Sequence, residues 1–187
     1  WTHYNYRSYA NNSAVYKDRP EMGIFMKEWR SLYKSRSGER GMFSRAAAQK
    51  QAAQNGRRDA EYDFGTNPCC EIILRPYQFC NLTEVVVKKD DTKESLLKKV
   101  RLATILGTYQ ATLTDFKYLR KVWQRTTEEE RLLGVSLTGI MDNPLTHEIG
   151  EPLEVLLRDL RAKAVETNKE WAEKFGIPQS TAITCVK

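Results

Sequence analysis

The chain has 187 residues, 41% of them hydrophobic, 29% charged and 10% aromatic. That composition is ordinary for a globular protein and excludes a collagen repeat, a coiled-coil rod and a low-complexity disordered chain. Lys plus Arg number 30 against 24 for Asp plus Glu, a net charge of +6, which suits nucleic acid, an anionic surface or a phosphate-bearing small molecule without choosing among them.

Residues 1–20 are rich in Tyr, Asn and Ser and poorly periodic, and read as loop with a short strand at Ala14-Val15-Tyr16. Residues 21–34 read as a helix. Phe25, Trp29, Leu32 and Tyr33 fall on one face of a 3.6-residue period, and Gly38 and Gly41 end it. Residues 44–55 read as a second helix, with Ser44 as N-cap and Gly56 past its end. Turn chemistry fills 63–67, before Pro68. Val85-Val86-Val87 marks a strand over 82–87. Asp91 and Glu94 suggest a capping box. The long helix behind it is lined by Leu96, Leu97, Val100, Ala103, Thr104 and Gly107. Thr127-x-x-Glu130 suggests another helix start, and 132–140 a buried strand or tight connection.

The last helix has Pro152 in its first turn and Gly176 beyond its end. Its stripe is Leu153, Leu156, Leu157, Leu160, Ala164, Trp171 and Phe175, and 182–186 follows as a strand. Such alternation favours an α/β fold. No internal repeat or linker appears, and no run nears the roughly 18 apolar residues of a membrane span. The first residue is Trp1, without a secretory signal pattern, and the chain stops on a strand. Residues 1–187 are therefore expected to form a single, partial domain. Trp29, Trp171 and Phe175 read as core rather than a stacking platform. Arg57-Arg58 and Lys88-Lys89 read as solvated charge, and His147 as a loop residue without a role.

The four cysteines are Cys69, Cys70, Cys80 and Cys185, three of them close together. Four are too few for a disulfide scaffold. Three readings of the cluster compete. Structural zinc wants paired ligands at short spacing, which these residues lack. Buried cysteines acting as small hydrophobes explain Cys70 and Cys185 better than Cys69 and Cys80. The third reading is thiol chemistry beside an acid–base group. If the segment is extended, Asn67, Cys69 and Glu71 project to one side. An amide, a thiol and a carboxylate there suit a substrate with adjacent hydroxyls, such as a ribose.

Asn67-Pro68-Cys69-x-Glu71-Ile72, with Cys80-Asn81-Leu82 beginning eleven residues after Cys69, resembles the finger-loop signature of ribonucleotide reductases. It is closest to their adenosylcobalamin-dependent class (class II). Three flanking stretches look similar to that family: Ser37-Gly38-Glu39-Arg40-Gly41-Met42-Phe43, Leu133-Gly134-Val135-Ser136-Leu137-Thr138-Gly139 and Ala182-Ile183-Thr184-Cys185-Val186-Lys187. The resemblance implies part of a ten-stranded α/β barrel with a central finger loop. It implies Cys69 as the thiyl-radical residue that takes the ribose 3′ hydrogen. Glu71 would be the base on the 3′ hydroxyl, Asn67 a hydrogen-bonding partner of the ribose hydroxyls, and Cys80 one of two cysteines that reduce the 2′ position and end as a disulfide. It implies adenosylcobalamin as cofactor, a ribonucleotide substrate, deoxynucleotide effectors and a thioredoxin-like reductant. Membrane and nucleic acid are not among the implied partners. The setting would be cytoplasmic synthesis of DNA precursors. Cys80-Asn81-Leu82-Thr83-Glu84-Val85 looks more like the monomeric triphosphate-reducing branch than the dimeric diphosphate branch, where a Gly-Ser step follows the leucine.

This sequence departs from the family at four points. Cys70 stands where Gly or Ser is usual, and no cysteine precedes Cys69 to pair with Cys80. Neither a phosphate-binding Pro-Ser-Gly stretch nor a C-terminal cysteine pair appears. A fragment inactive alone, or a split-gene product needing complementary pieces, is the expectation. A basic α/β nucleic-acid-binding module is the alternative from another class, though no motif of known spacing carries it.

Overall fold

The computed structural model describes residues 6, 12–36, 41–54, 56–68 and 70–184. The protein is mixed α/β, as the alternation of patterns suggested. It falls into two compact units, Trp1–Pro76 and Tyr77–Lys187.

In the first unit, β1 (Ser13–Tyr16) pairs in parallel with β2 (Gly41–Ser44), Ser13 opposite Gly41 and Tyr16 opposite Ser44. The connection carries α1 (Met22–Ser35). Helix α2 (Arg45–Gln54) follows β2 directly. Ser44 caps it as expected, its hydroxyl accepting the Ala47 amide at 3.2 Å, and Gly56 takes φ +60 beyond its end. Strands β3 (Gly65–Thr66) and β4 (Ile73–Leu74) form an antiparallel pair. The core is Phe43, Ala48, Ala52 and Phe64, with Ala60, Tyr62 and Ile73 against it. Three sequence expectations fail here. Helix α1 buries none of its residues; Trp29 is 53% exposed, so it stacks on Phe25 without joining a core. Arg36, not a glycine, closes that helix in the left-handed region. Arg58 is buried rather than solvated: it donates to the Ile73 carbonyl at 2.8 Å and lies over the Phe64 ring.

In the second unit, β5 (Asn81–Val86), β6 (Leu133–Thr138) and β7 (Ile183–Thr184) form a parallel sheet in that order. Helices α3 (Lys93–Gln110) and α4 (Lys121–Glu130) lie between β5 and β6 in the chain. A short α5 (Pro144–His147) and the long α6 (Glu151–Phe175) lie between β6 and β7. Val85, Val87, Val135 and Leu137 of the sheet pack with Leu96, Val100, Ala103, Leu156, Leu160 and Ala164 of α3 and α6. Helix α3 packs closely on the sheet at Gly107, where a Cβ would lie 3.4 Å from both Thr83 and Leu133.

Alternation along β5 then turns Leu82, Glu84 and Val86 to the other side, where all three are exposed. A parallel sheet ordinarily has both faces covered; on β5 this one has only its helix face covered.

Two helix boundaries differ from the sequence reading. The capping box of α3 is Thr92 with Ser95, because Asp91 is engaged elsewhere: its carboxylate accepts from Lys99 at 2.5 Å and from the Ser95 hydroxyl at 2.6 Å. Thr127 and Glu130 close α4 rather than open a helix, and Arg131 caps it with φ 48. Helix α6 ends as expected, with Gly176 at φ 65, but Leu157 is 42% exposed. Trp171 and Phe175 are half-buried. His147 closes α5. Among the described residues, no helix is long and apolar enough to cross a membrane.

Candidate active site

The loop between β3 and β4 carries Asn67 and Glu71, and it is not extended. Its ends are tied by the Asn67 amide donating to the Ile72 carbonyl at 3.3 Å and the Cys70 amide to the Asn67 carbonyl at 3.0 Å. The Asn67 side-chain oxygen accepts the Ile72 amide at 2.9 Å and the Thr66 hydroxyl at 3.3 Å. Cys70 takes φ +66, a region that L-residues other than Asn and Asp seldom visit. The condition of an extended segment is not met at the described residues: Cys70 in the left-handed region and the antiparallel return to β4 interrupt the continuous extended backbone that period-two alternation needs. Cys69 itself, like Cys185, lies outside the described residues.

Glu71 is half-buried, and its Oε2 is shut off from solvent with no hydrogen-bond partner among the described residues. Buried carboxylate oxygens are nearly always bonded, since leaving one unmet is unfavourable. An oxygen of this kind is suited to accept a hydroxyl proton from a ligand. Asn67 is half-buried too. With its oxygen spent on the loop, the group it has to offer is its amide N–H pair. Cys70, a half-buried thiol, lies with Sγ 3.4 Å from Ser13 Oγ on β1.

Cys80 belongs to the second unit, immediately before β5, and is a half-buried thiol. The segment around it is firmly mounted. Gln78, 5% exposed, donates to the Thr126 carbonyl and to the Glu130 carboxylate. Asn81 donates through its backbone amide and its side chain to the Leu132 carbonyl, at 3.0 and 3.2 Å. Phe79 stacks on Trp123 at 4.7 Å and meets Phe116 edge-on at 5.2 Å. The described candidates thus divide: Asn67 and Glu71 share the loop of the first unit, and Cys80 is held by the second.

Sequence reasoning missed Ser13 and Gln78, and read Glu130 only as part of a helix start. Of the two missed, only Gln78 carried a signal, a polar residue inside an aromatic run close to Cys80. No group of three or more His, Cys, Asp or Glu side chains is placed to hold a metal ion among the described residues.

No protein-family profile matches the chain. Its architecture is similar to that of a crystallised B12-dependent (class II) ribonucleotide reductase, with a TM-score of 0.55 and 19% identity, covering 92% of this chain and 31% of that one. The mixed α/β fold is thus one that a ribonucleotide reductase also uses. In sequence, the chain is similar to two adenosylcobalamin-dependent ribonucleoside-triphosphate reductases. That of Lactobacillus acidophilus is 29% identical over 147 residues, covering 66% of this chain and 20% of the relative. That of Lactobacillus helveticus is 28% identical with the same coverage. The chain thus matches about a fifth of the length of these curated relatives.

Proposed function

We propose that the protein to which this sequence belongs reduces ribonucleotides to deoxyribonucleotides by a thiyl-radical mechanism, with ribonucleoside triphosphates as substrates and DNA precursors as products. The observation that carries the reading is the joint occurrence of Asn67, Cys69, Glu71 and Cys80-Asn81-Leu82 at their spacings. The similarity to reductases named for that reaction supports it.

The residues divide the work as follows. Cys69, as a thiyl radical, takes the hydrogen atom from the ribose 3′ carbon and later returns it. Glu71 accepts the 3′ hydroxyl proton; its unmet Oε2 has the free acceptor capacity that this role needs. The Asn67 amide group donates to a ribose hydroxyl while its oxygen holds the loop. Cys80 and a second cysteine outside this chain supply two electrons and end as a disulfide, as the 2′ hydroxyl leaves as water. A thioredoxin-like dithiol then restores the pair.

Adenosylcobalamin, when bound, supplies the radical through homolysis of its cobalt–carbon bond. The thiol and unmet carboxylate oxygen of this loop fit that chemistry; no described residue is assigned to holding the cofactor.

The enclosing fold would be the ten-stranded α/β barrel, with the loop of 67–72 at its centre. The bare side of β5, lined by Leu82 and Val86, would then face inward. Deoxynucleotide effectors and a cytoplasmic setting complete the proposal. Because the chain matches about a fifth of the relatives' length, the activity is proposed for the whole protein.

The deciding experiment is Cys69→Ser in the complete enzyme with adenosylcobalamin and a dithiol reductant. Deoxynucleotide formation is expected to vanish, and its retention overturns the assignment.

A further inference from the structure

We propose that Cys70 is a positioning residue for the candidate active site, anchored through its thiol to Ser13. The role rests on the reductase reading, but the anchor itself does not. Three positions far apart in sequence fit together. Cys70 brings its Sγ to 3.4 Å from Ser13 Oγ across 57 residues of chain. Ser13 stands opposite Gly41 in the parallel pair of β1 and β2. Gly41 leaves the room that both side chains use: a Cβ there would lie 2.9 Å from Ser13 Oγ and 3.0 Å from Cys70 Sγ. At the first distance the Ser13 hydroxyl would have to move, so a side chain at 41 would disturb the contact.

The backbone supplies a second reason. Cys70 sits at φ +66, a conformation in which its Cβ crowds the following carbonyl. A residue held there needs interactions that outweigh the strain. The backbone bond from the Cys70 amide to the Asn67 carbonyl provides one, and the thiol–hydroxyl contact provides the other. The two fix residue 70 against a strand, which is a firmer mount than the loop itself. Glu71 follows immediately, so the placing of residue 70 sets where the carboxylate begins. The second thiol beside Cys69 is then a handle on the loop rather than an idle departure from Gly or Ser.

Amide hydrogen exchange on the full chain tests the anchor without any activity. Ser13→Ala is expected to speed exchange at the Cys70 and Ile72 amides by about fivefold, the loss of one modest hydrogen bond. The Val87 amide, bonded to the Thr138 carbonyl, should be unchanged. Ser13→Thr, which keeps the hydroxyl, should restore slow exchange. Gly41→Ala should loosen the same loop amides without removing either polar atom. Loop exchange in Ser13→Ala at the unaltered rate overturns the anchor.

Steady-state reduction of a ribonucleotide, with adenosylcobalamin and a dithiol, tests the positioning role in the complete enzyme. Cys70→Ala is expected to lower kcat by about fivefold at unchanged KM, with Cys70→Ser recovering the loss. A loosened loop with unchanged kcat overturns positioning. If the unaltered enzyme reduces no ribonucleotide, the functional reading falls and the positioning role with it, while the exchange rates still judge the anchor.

Discussion

The side-chain oxygen of Asn67 accepts the backbone amide of Ile72 at 2.9 Å, so one end of this amide group builds the loop and the other, its N–H pair, is the end proposed to meet the ribose. The two ends can be separated by substitution. Asn67→Asp keeps an acceptor for Ile72 and loses the N–H donors. It is expected to leave exchange of the Ile72 amide close to that of the unaltered chain. Ribonucleotide reduction by the complete enzyme should fall by about tenfold or more, the value of one donor hydrogen bond made in the transition state. Asn67→Ala should lose both properties. Equal activity in Asn67→Asp would remove Asn67 from the ribose-binding role.

Glu71 gives the opposite pattern, in which fold and chemistry respond in different directions. Its Oε2 is buried without a partner among the described residues, so the native loop gains little from the charge. Glu71→Gln preserves shape and removes the base. The melting temperature is expected to hold or rise slightly, while kcat of the complete enzyme drops by about 10²–10⁴-fold, the usual weight of a positioned general base. A marked fall in melting temperature would mean that the carboxylate is a structural partner instead.

The elements that sequence patterns located are those whose burial repeats with the backbone. Strand β5, helix α3, strand β6 and helix α6 each put apolar residues where a period of two or 3.6 requires them, and the core of the second unit is built from those residues. The candidate loop was recognisable by residue types and spacing but not by shape. A six-residue reversal over 67–72 has no period, and its closure depends on a side chain, Asn67, bonding a backbone amide five residues away. The pattern Thr127-x-x-Glu130 reads as a helix start although it ends α4, since residue types at that spacing do not say which flank is helical. Helix α1 shows the converse. Its stripe of Phe25, Trp29, Leu32 and Tyr33 is genuine, but an amphipathic face states what a helix is able to bury, not that anything covers it. The contact of Ser13 with Cys70 joins residues 57 apart, and no local pattern encodes that pairing.

The start of α3 carries a charge whose contribution depends on pH. Lys99 beside Asp91, helped by the Ser95 hydroxyl, holds the Asp91 carboxyl down to about 2. An unfolded aspartate titrates near 3.9, so on acidification the unfolded chain takes up this proton first. The stabilisation is therefore complete above about pH 4 and is lost as pH falls towards 2. Asp91→Asn should lower the melting temperature at pH 6, and the difference from the unaltered chain should shrink steadily between pH 4 and 2. A difference that stays constant over that range would show that the ion pair with Lys99 contributes nothing that titrates.

The bare side of β5 bears on the barrel itself. Leu82 and Val86 are 48% and 53% exposed, opposite the face packed by α3 and α6. Exposed strand positions tolerate polar residues, usually within about 0.5 kcal/mol. In the isolated chain, Val86→Asp is therefore expected to change stability little. Inside a closed barrel the same side chain would point into the packed interior, where an unpaired carboxylate is strongly unfavourable. A protein of the relatives' full length carrying Val86→Asp should then lose several kcal/mol of stability by denaturant unfolding, as substitutions that bury an unpaired charge do. Lys89→Asp, at an exposed position beyond the strand, serves as the control for added negative charge and should be mild in both settings. Equal, small effects of Val86→Asp in both proteins would mean that this face stays open to solvent, and the barrel would have to be given up.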